Sequence, residues 1–182
     1  YINDPAKTDP DYNFDDFIPA VVDGLKWDTV PGHKVGEGSQ WALPMGWELN
    51  CLAYNKNVFA EKGLEVPTTT DELLETATAL NEFAGSGSYG IAVRGTREWA
   101  TIHPGYMSLF STWGAQDFAI EDGKLVCQLD SEEAIAMTDY WVNLIKAAGP
   151  PQWTNYTWYE ASADLGAGKA AMLFDATSAG YF

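Results

Sequence analysis

Positive charge is the first thing this sequence lacks. Ten Lys and Arg stand against 26 Asp and Glu, for a formal net charge of −16. Long-range forces therefore repel nucleic acid and anionic membrane surfaces, and polyanion binding is excluded as a main activity. Cysteine is scarce too. Cys51 and Cys127 are far apart and lack any C-x-x-C or Cys/His spacing, which argues against a zinc site. No apolar run approaches the 18 or so residues of a membrane-spanning helix, and Tyr1 does not open a basic-then-apolar leader. Only two histidines, His33 and His103, are available, one in a connector and one at a helix start. With no G-x-S-x-G elbow beside them, nucleophilic hydrolysis has no recognisable apparatus. The string Gly166-Ala167-Gly168-Lys169 lacks the spacing and the following Ser or Thr of a phosphate loop, and it precedes a strand rather than following one.

What is present is a globular composition, 46% hydrophobic, with 14% aromatic residues that include eight Trp. Such a load suits core filling and stacking against flat ligand faces. From Trp41 to Ala53 the odd positions, Trp41, Leu43, Met45, Trp47, Leu49, Cys51 and Ala53, are all apolar. That is the period of a strand with one buried face. Pro44 and Gly46 interrupt it, as they would in a strand that changes partners midway or in an edge strand with a bulge.

The rest of the chain reads in order. Residues 1 to 14 form an irregular lead-in whose Asp9, Asp11, Asn13 and Asp15 mimic a calcium loop. Phe14 and Ala20 stand where such a loop needs Gly and Glu, so Asp15 or Asp16 is read as a helix cap instead. A helix is expected over Asp16–Trp27, with Pro19 in its first turn. Helices follow over Asn55–Gly63 and from the capping box Thr69–Glu72. Tyr89–Val93 is a buried strand, and Arg94 to Trp99 follow at its carboxyl end, where ligands gather in open α/β sheets. A helix over Thr101–Trp113, a hairpin around Glu121-Asp122-Gly123, and a helix capped by Asp130 that stops at Gly149-Pro150-Pro151 come next. Trp153–Tyr159 is an aromatic cluster without a clean period. A short helix over Glu160–Leu165 and a buried strand over Ala170–Phe174 complete the pattern. Asp175–Ser178 opens a last helix that the C-terminus cuts off after a few residues, as in a truncated chain.

The chemistry these residues support is recognition of hydroxyl-rich, uncharged ligands. Trp47 with Glu48, Arg94 with Trp99, the aromatic run containing Trp158, and Asp175 with Thr177 each set a flat apolar face beside a planar polar group at the end of an element. Paired carboxylates such as Glu48 and Asp175 leave glycosidic cleavage open as a less favoured alternative.

The order of ALPMGWELNCLAYNKNVF, VPTTTDELLETATAL, YGIAVRGTREWATIHPGYM, DGKLVCQLDSEEAIAMTDYWVNLI and YEASADLGAGKAAMLFDAT resembles the extracellular solute-binding proteins of carbohydrate ABC transporters, the maltose-binding-protein-like family. The resemblance implies an α/β fold, a type II periplasmic binding protein lobe with a mixed sheet flanked by helices. Residues 1–46 would be the end of an N-terminal lobe segment and its connector, 47–175 the C-terminal ligand-binding lobe, and 176–182 the start of a return crossing. It implies a non-enzymatic, monomeric, periplasmic or extracellular protein, with no cofactor, that holds a mono- or oligosaccharide or a sugar alcohol for ABC transporter permease subunits. A sensory sugar-binding domain of the same fold is the alternative. By the same resemblance Trp99 would stack on the ligand, Glu48, Arg94 and Asp175 would hydrogen-bond its hydroxyls, Trp47 would wall the cleft, and Trp158 and Thr177 would lie nearby.

Overall fold

The computed structural model describes residues 4–181. Their contacts divide into two units, one ending at Trp47 and one beginning at Glu48.

The first unit holds a 3-10 turn at Phe14–Asp16, helix α1 (Pro19–Asp23) and a ribbon of strands β1 (Lys26–Trp27) and β2 (Ser39–Gln40). The expected helix over Asp16–Trp27 is therefore reduced to five residues. Pro19 occupies its first position, where a missing N–H costs nothing, and neither Asp15 nor Asp16 caps it. Beyond Gly24 the chain leaves the helix because Lys26 and Trp27 pair with Gln40 and Ser39. The indole of Trp41 donates to Trp27 O at 2.9 Å and closes the ribbon. Asp28 turns the chain by accepting from Val30 N at 3.0 Å and from His33 Nδ1 at 2.7 Å. These two partners hold its carboxyl below the usual range. The alternating stretch does not become a long strand. Trp41, Leu43, Met45, Trp47 and Leu49 are all exposed, because among the described residues no second strand pairs with this segment and so no sheet face exists to receive them.

The second unit begins with β3 (Asn50–Tyr54), α2 (Lys56–Lys62) and α3 (Thr70–Ala79). Asn55 caps α2, and Gly63 closes it in the left-handed conformation at φ 64°. Both arms of the Thr69–Glu72 capping box are present, and the backbone and hydroxyl of Thr68 also donate to Glu72. After β4 (Tyr89–Ala92), α4 (Trp99–Ile102) passes through one π turn, His103–Met107, into α5 (Ser108–Thr112). Pro104 lacks the N–H that a regular turn would use there. The hairpin β5 (Phe118–Glu121) and β6 (Lys124–Cys127) turns at Asp122-Gly123 as expected. Helix α6 (Glu132–Ala148) is capped by Ser131 Oγ on Ala134 N, not by Asp130, which lies one residue too far from the helix start. Helix α7 (Trp158–Gly166) starts two residues before the expected Glu160, on a second capping box between Thr157 and Glu160. Strand β7 (Ala170–Ala176) ends in a 3-10 turn, Thr177–Tyr181.

Strand β7 is the centre of a three-stranded mixed sheet, antiparallel to β3 and parallel to β4. The register pair Ile91 and Met172 faces the larger core with Leu80, Phe110, Met137 and Leu144 from the helices. Its neighbours Ala92 and Leu173 face a smaller core with Tyr156 and Ala161 of the α7 side. Tyr140 ties α6 to the start of α3 by donating to Thr70 O at 2.5 Å. Burial, with the Asp71 carboxylate adding, pushes its phenol up to about 12, so it stays a donor. Cys51 and Cys127 are both exposed and unpaired.

Candidate functional site

Arg94 and Asp175 each lie two residues beyond the last β4–β7 pair, Ala92 and Leu173, at the carboxyl end of β4. Arg94 Nε donates to Asp175 Oδ2 at 2.8 Å and Nη2 to Oδ1 at 2.5 Å, a two-point fork. Asp175 Oδ1 also accepts its neighbour's amide, Ala176 N, at 2.6 Å. Only 1% of Asp175 is exposed, so its carboxylate is fully engaged inside the protein. A third Arg94 donor, Nη1, reaches Ala100 O at 2.7 Å, and the guanidinium lies 5.4 Å from the centre of the Trp158 ring. A guanidinium has five N–H groups and these contacts use three, which leaves two on a plane that cannot turn.

Arg94 is at the edge of a cavity of about 570 Å³ whose walls include Thr96, Trp99, Tyr106, Trp141 and Trp153. Trp141 is a buried wall, and Trp99, 80% exposed, stands at the mouth. The loop between β4 and α4 is tightly held. Gly95 N and Thr96 N both donate to Tyr156 O, at 2.9 and 3.1 Å. The buried Thr101 hydroxyl donates back to Thr96 O and to Glu98 O. Two glycines set the approach of the indoles. A Cβ on Gly95 would stand 2.2 Å from both the ring and the carbonyl oxygen of Trp153, and one on Gly105 would stand 2.7 Å from the tip of Trp141. The Thr96 hydroxyl is buried without a hydrogen-bond partner.

The structure thus brings Arg94 and Trp99 to one cavity, with Trp158 under the guanidinium. Asp175 is joined to them only through Arg94. Asp175 is buried and its carboxylate is taken up by Arg94, and it is not among the cavity's lining residues. With Thr177 it borders a second, smaller hollow of about 330 Å³ on the α7 side. Thr177 clips the start of β3, donating its amide to Leu49 O at 2.8 Å and accepting Leu49 N on its hydroxyl at 3.4 Å. Glu48 is exposed just before β3 and is not among the cavity's lining residues. Trp47 belongs to the other unit and is exposed there. Of the lining residues only Arg94 and Trp99 are singled out by sequence reasoning; Thr96, Tyr106, Trp141 and Trp153 are among those that are not. Trp141 reads only as part of the apolar face of α6, and Trp153 only as one of an aromatic run.

A family model described as bacterial extracellular solute-binding protein matches residues 1–182. The chain belongs to that family. An erythritol/L-threitol-binding protein of Mycolicibacterium smegmatis is 37% identical over 182 residues, which is 100% of this chain and 38% of that protein. A mannitol-binding protein of Pseudomonas aeruginosa is 32% identical over 174 residues, 94% of this chain and 37% of that one. In three dimensions the chain is similar to an ABC transporter solute-binding protein of Agrobacterium vitis with bound D-mannitol, at TM-score 0.73 and 31% identity over 94% of this chain and 38% of the other. A ribitol complex from Agrobacterium radiobacter gives TM-score 0.72 at 27% identity, over 91% and 38% of the two chains. The α/β, type II periplasmic binding protein fold expected of the resemblance is the fold of these neighbours. This member of the solute-binding family spans 37–38% of the length of the curated relatives it matches. Among its described residues no helix is long and apolar enough to cross a membrane.

Proposed function

We propose that this chain is part of a sugar-alcohol-binding component of an ABC importer, which captures its ligand outside the cytoplasm and delivers it to permease subunits without chemical change. The observation that carries the proposal is the Arg94 guanidinium, with two N–H groups unspent, at the edge of an aromatic cavity. Asp175 fixes the plane of the guanidinium, so its two remaining N–H groups are held ready for neighbouring hydroxyl oxygens on an open-chain polyol. Trp99 supplies a flat face for the C–H side of such a chain. At about 570 Å³ the cavity falls in the range of small-molecule clefts, roughly 300–1,000 Å³. The polyols named for the relatives of M. smegmatis and P. aeruginosa support sugar alcohols ahead of oligosaccharides. Trp47 and Glu48 keep their proposed shares as cleft wall and hydroxyl partner in the full-length protein, which is proposed to act as a monomer.

Calorimetric titration of the full-length protein with erythritol, ribitol, mannitol and maltose tests this. Saturable heat with one or more of the three alcohols, lost on Arg94→Met, is expected. Silence toward all four compounds overturns the ligand class.

A further inference from the structure

The smaller core of the second unit contains a carboxyl group gathered in by two phenols. Asp164, on α7 and 7% exposed, accepts the Tyr156 hydroxyl on Oδ2 at 2.5 Å and the Tyr89 hydroxyl on the same oxygen. The two phenol oxygens lie 3.0 Å apart. Its other oxygen is 3.4 Å from Lys169 Nζ. Burial, with the Glu160 carboxylate adding and Lys169 opposing, pushes the Tyr156 phenol up and keeps it an O–H donor. None of these four side chains lines the cavity.

Tyr156 nevertheless reaches the cavity through its backbone. Its carbonyl oxygen takes both Gly95 N and Thr96 N, so both lone pairs are engaged on the loop that carries Arg94 and Thr96. The residue also separates the turn that presents Trp153 from the helix that begins with Trp158. Its side chain fastens this junction to the smaller core and to Asp164 of α7.

We infer that Asp164 is a positioning residue for the cavity. Its carboxyl oxygen anchors the Tyr156 side chain, and the Tyr156 carbonyl in turn clamps the Gly95-Thr96 backbone in the ligand-ready form. The inference rests on the cavity being the polyol site. The geometry assigns unequal weight to the two tyrosines: Tyr156→Phe cuts the chain of contacts while keeping its volume, whereas Tyr89→Phe leaves the Asp164–Tyr156 bond in place.

The test uses the full-length protein and two readouts, amide hydrogen exchange at Gly95 and Thr96 and titration with mannitol and erythritol. Tyr156→Phe and Asp164→Ala are expected to speed exchange at both amides about tenfold, the equivalent of one buried hydrogen bond, and to weaken polyol binding by a similar factor. The amides of Met172 and Leu173 in β7 should keep their protection. Asp164→Asn, which retains an acceptor oxygen, and Tyr89→Phe should stay within about threefold of the parent. Unchanged exchange at Gly95 and Thr96 in Tyr156→Phe overturns the inference, as does equal acceleration in β7, which would make the contact one of general stability. Tyr156→Phe folds independently of how Asp164→Ala behaves, because it adds no cavity. A parent protein that binds no polyol defeats the functional reading alone, since the exchange measurements still decide whether the clamp exists.

Discussion

Up to Trp47 the chain buries a single hydrophobic side chain, Val22, among its described residues, while every other buried hydrophobic residue lies after Glu48. The first unit is not short of apolar groups, for Trp41, Leu43, Met45 and Trp47 alternate through its last residues. What differs is the partners. In the second unit β7 has a strand on each side and apolar clusters on both faces, so each side chain it projects meets another. In the first, the ribbon pairs only two residues per strand. Alternation builds a strand only where a neighbouring backbone and a second layer exist to use it.

The contrast should be largest in the response to core truncation. Phe110→Ala, at a site 1% exposed, is expected to lower unfolding free energy by about 3–5 kcal/mol. Val22→Ala, which removes two methyl groups' worth of burial, should cost about 1.6 kcal/mol. Urea unfolding of the two variants checks this, and similar midpoint losses would show that the first unit has a core of comparable weight.

Next in size is the Arg94–Asp175 pair, where the second unit buries charge. Asp175→Ala leaves a guanidinium whose side chain is 10% exposed without its counter-ion, and about 3 kcal/mol of stability should be lost. The double variant Arg94→Met with Asp175→Leu should recover most of that loss while still failing to bind polyols. A double variant as unstable as Asp175→Ala would mean that the pair does more than neutralise itself.

Close approach to the cavity gives a smaller, graded pair. Gly95→Ala would press on the Trp153 backbone, which cannot yield, and should cost about 2 kcal/mol or more. Gly105→Ala meets only the tip of the Trp141 ring, which can tilt, and should cost about 1 kcal/mol. Thermal unfolding ranks the two; the reverse order would place the rigid wall at Trp141.

These cases also mark how much was legible beforehand. The Thr69–Glu72 box, the Gly63 stop of α2 and the Asp122-Gly123 hairpin were readable because each signal is local and its partner lies within four residues. Thr157–Glu160 carries the same signal as Thr69–Glu72, but it lies inside an aromatic run that obscures the helical period. Arg94 and Trp99 were legible from their place at a strand's carboxyl end. The engagement of Asp175 by Arg94 was not, because it depends on the register between β4 and β7, which are separated by most of the unit. Trp141 and Trp153 reach the cavity through packing of α6 and of the segment before α7, and nothing in their immediate neighbours announces it.

The smallest expected effect concerns helix starts, and it separates the units by pH. Helix α1 has no side-chain cap, whereas α3 and α7 each have a complete box. Glu72 is held below its ordinary value of 4.5, first by the Thr68 amide and then by the Thr68 hydroxyl. Glu160 is held low by the hydroxyl and amide of Thr157. A depressed carboxylate contributes stability that is complete above the ordinary value and disappears as pH falls through the lower, folded one. Part of the second unit's acid sensitivity should therefore lie below 4.5 and belong to these two residues. Glu72→Gln keeps an acceptor but cannot titrate, so its unfolding midpoint should fall less steeply with acid than the parent's and differ little from it near neutrality. Parallel midpoint curves for parent and variant would assign the acid response to Glu160, the other lowered carboxylate of these two boxes.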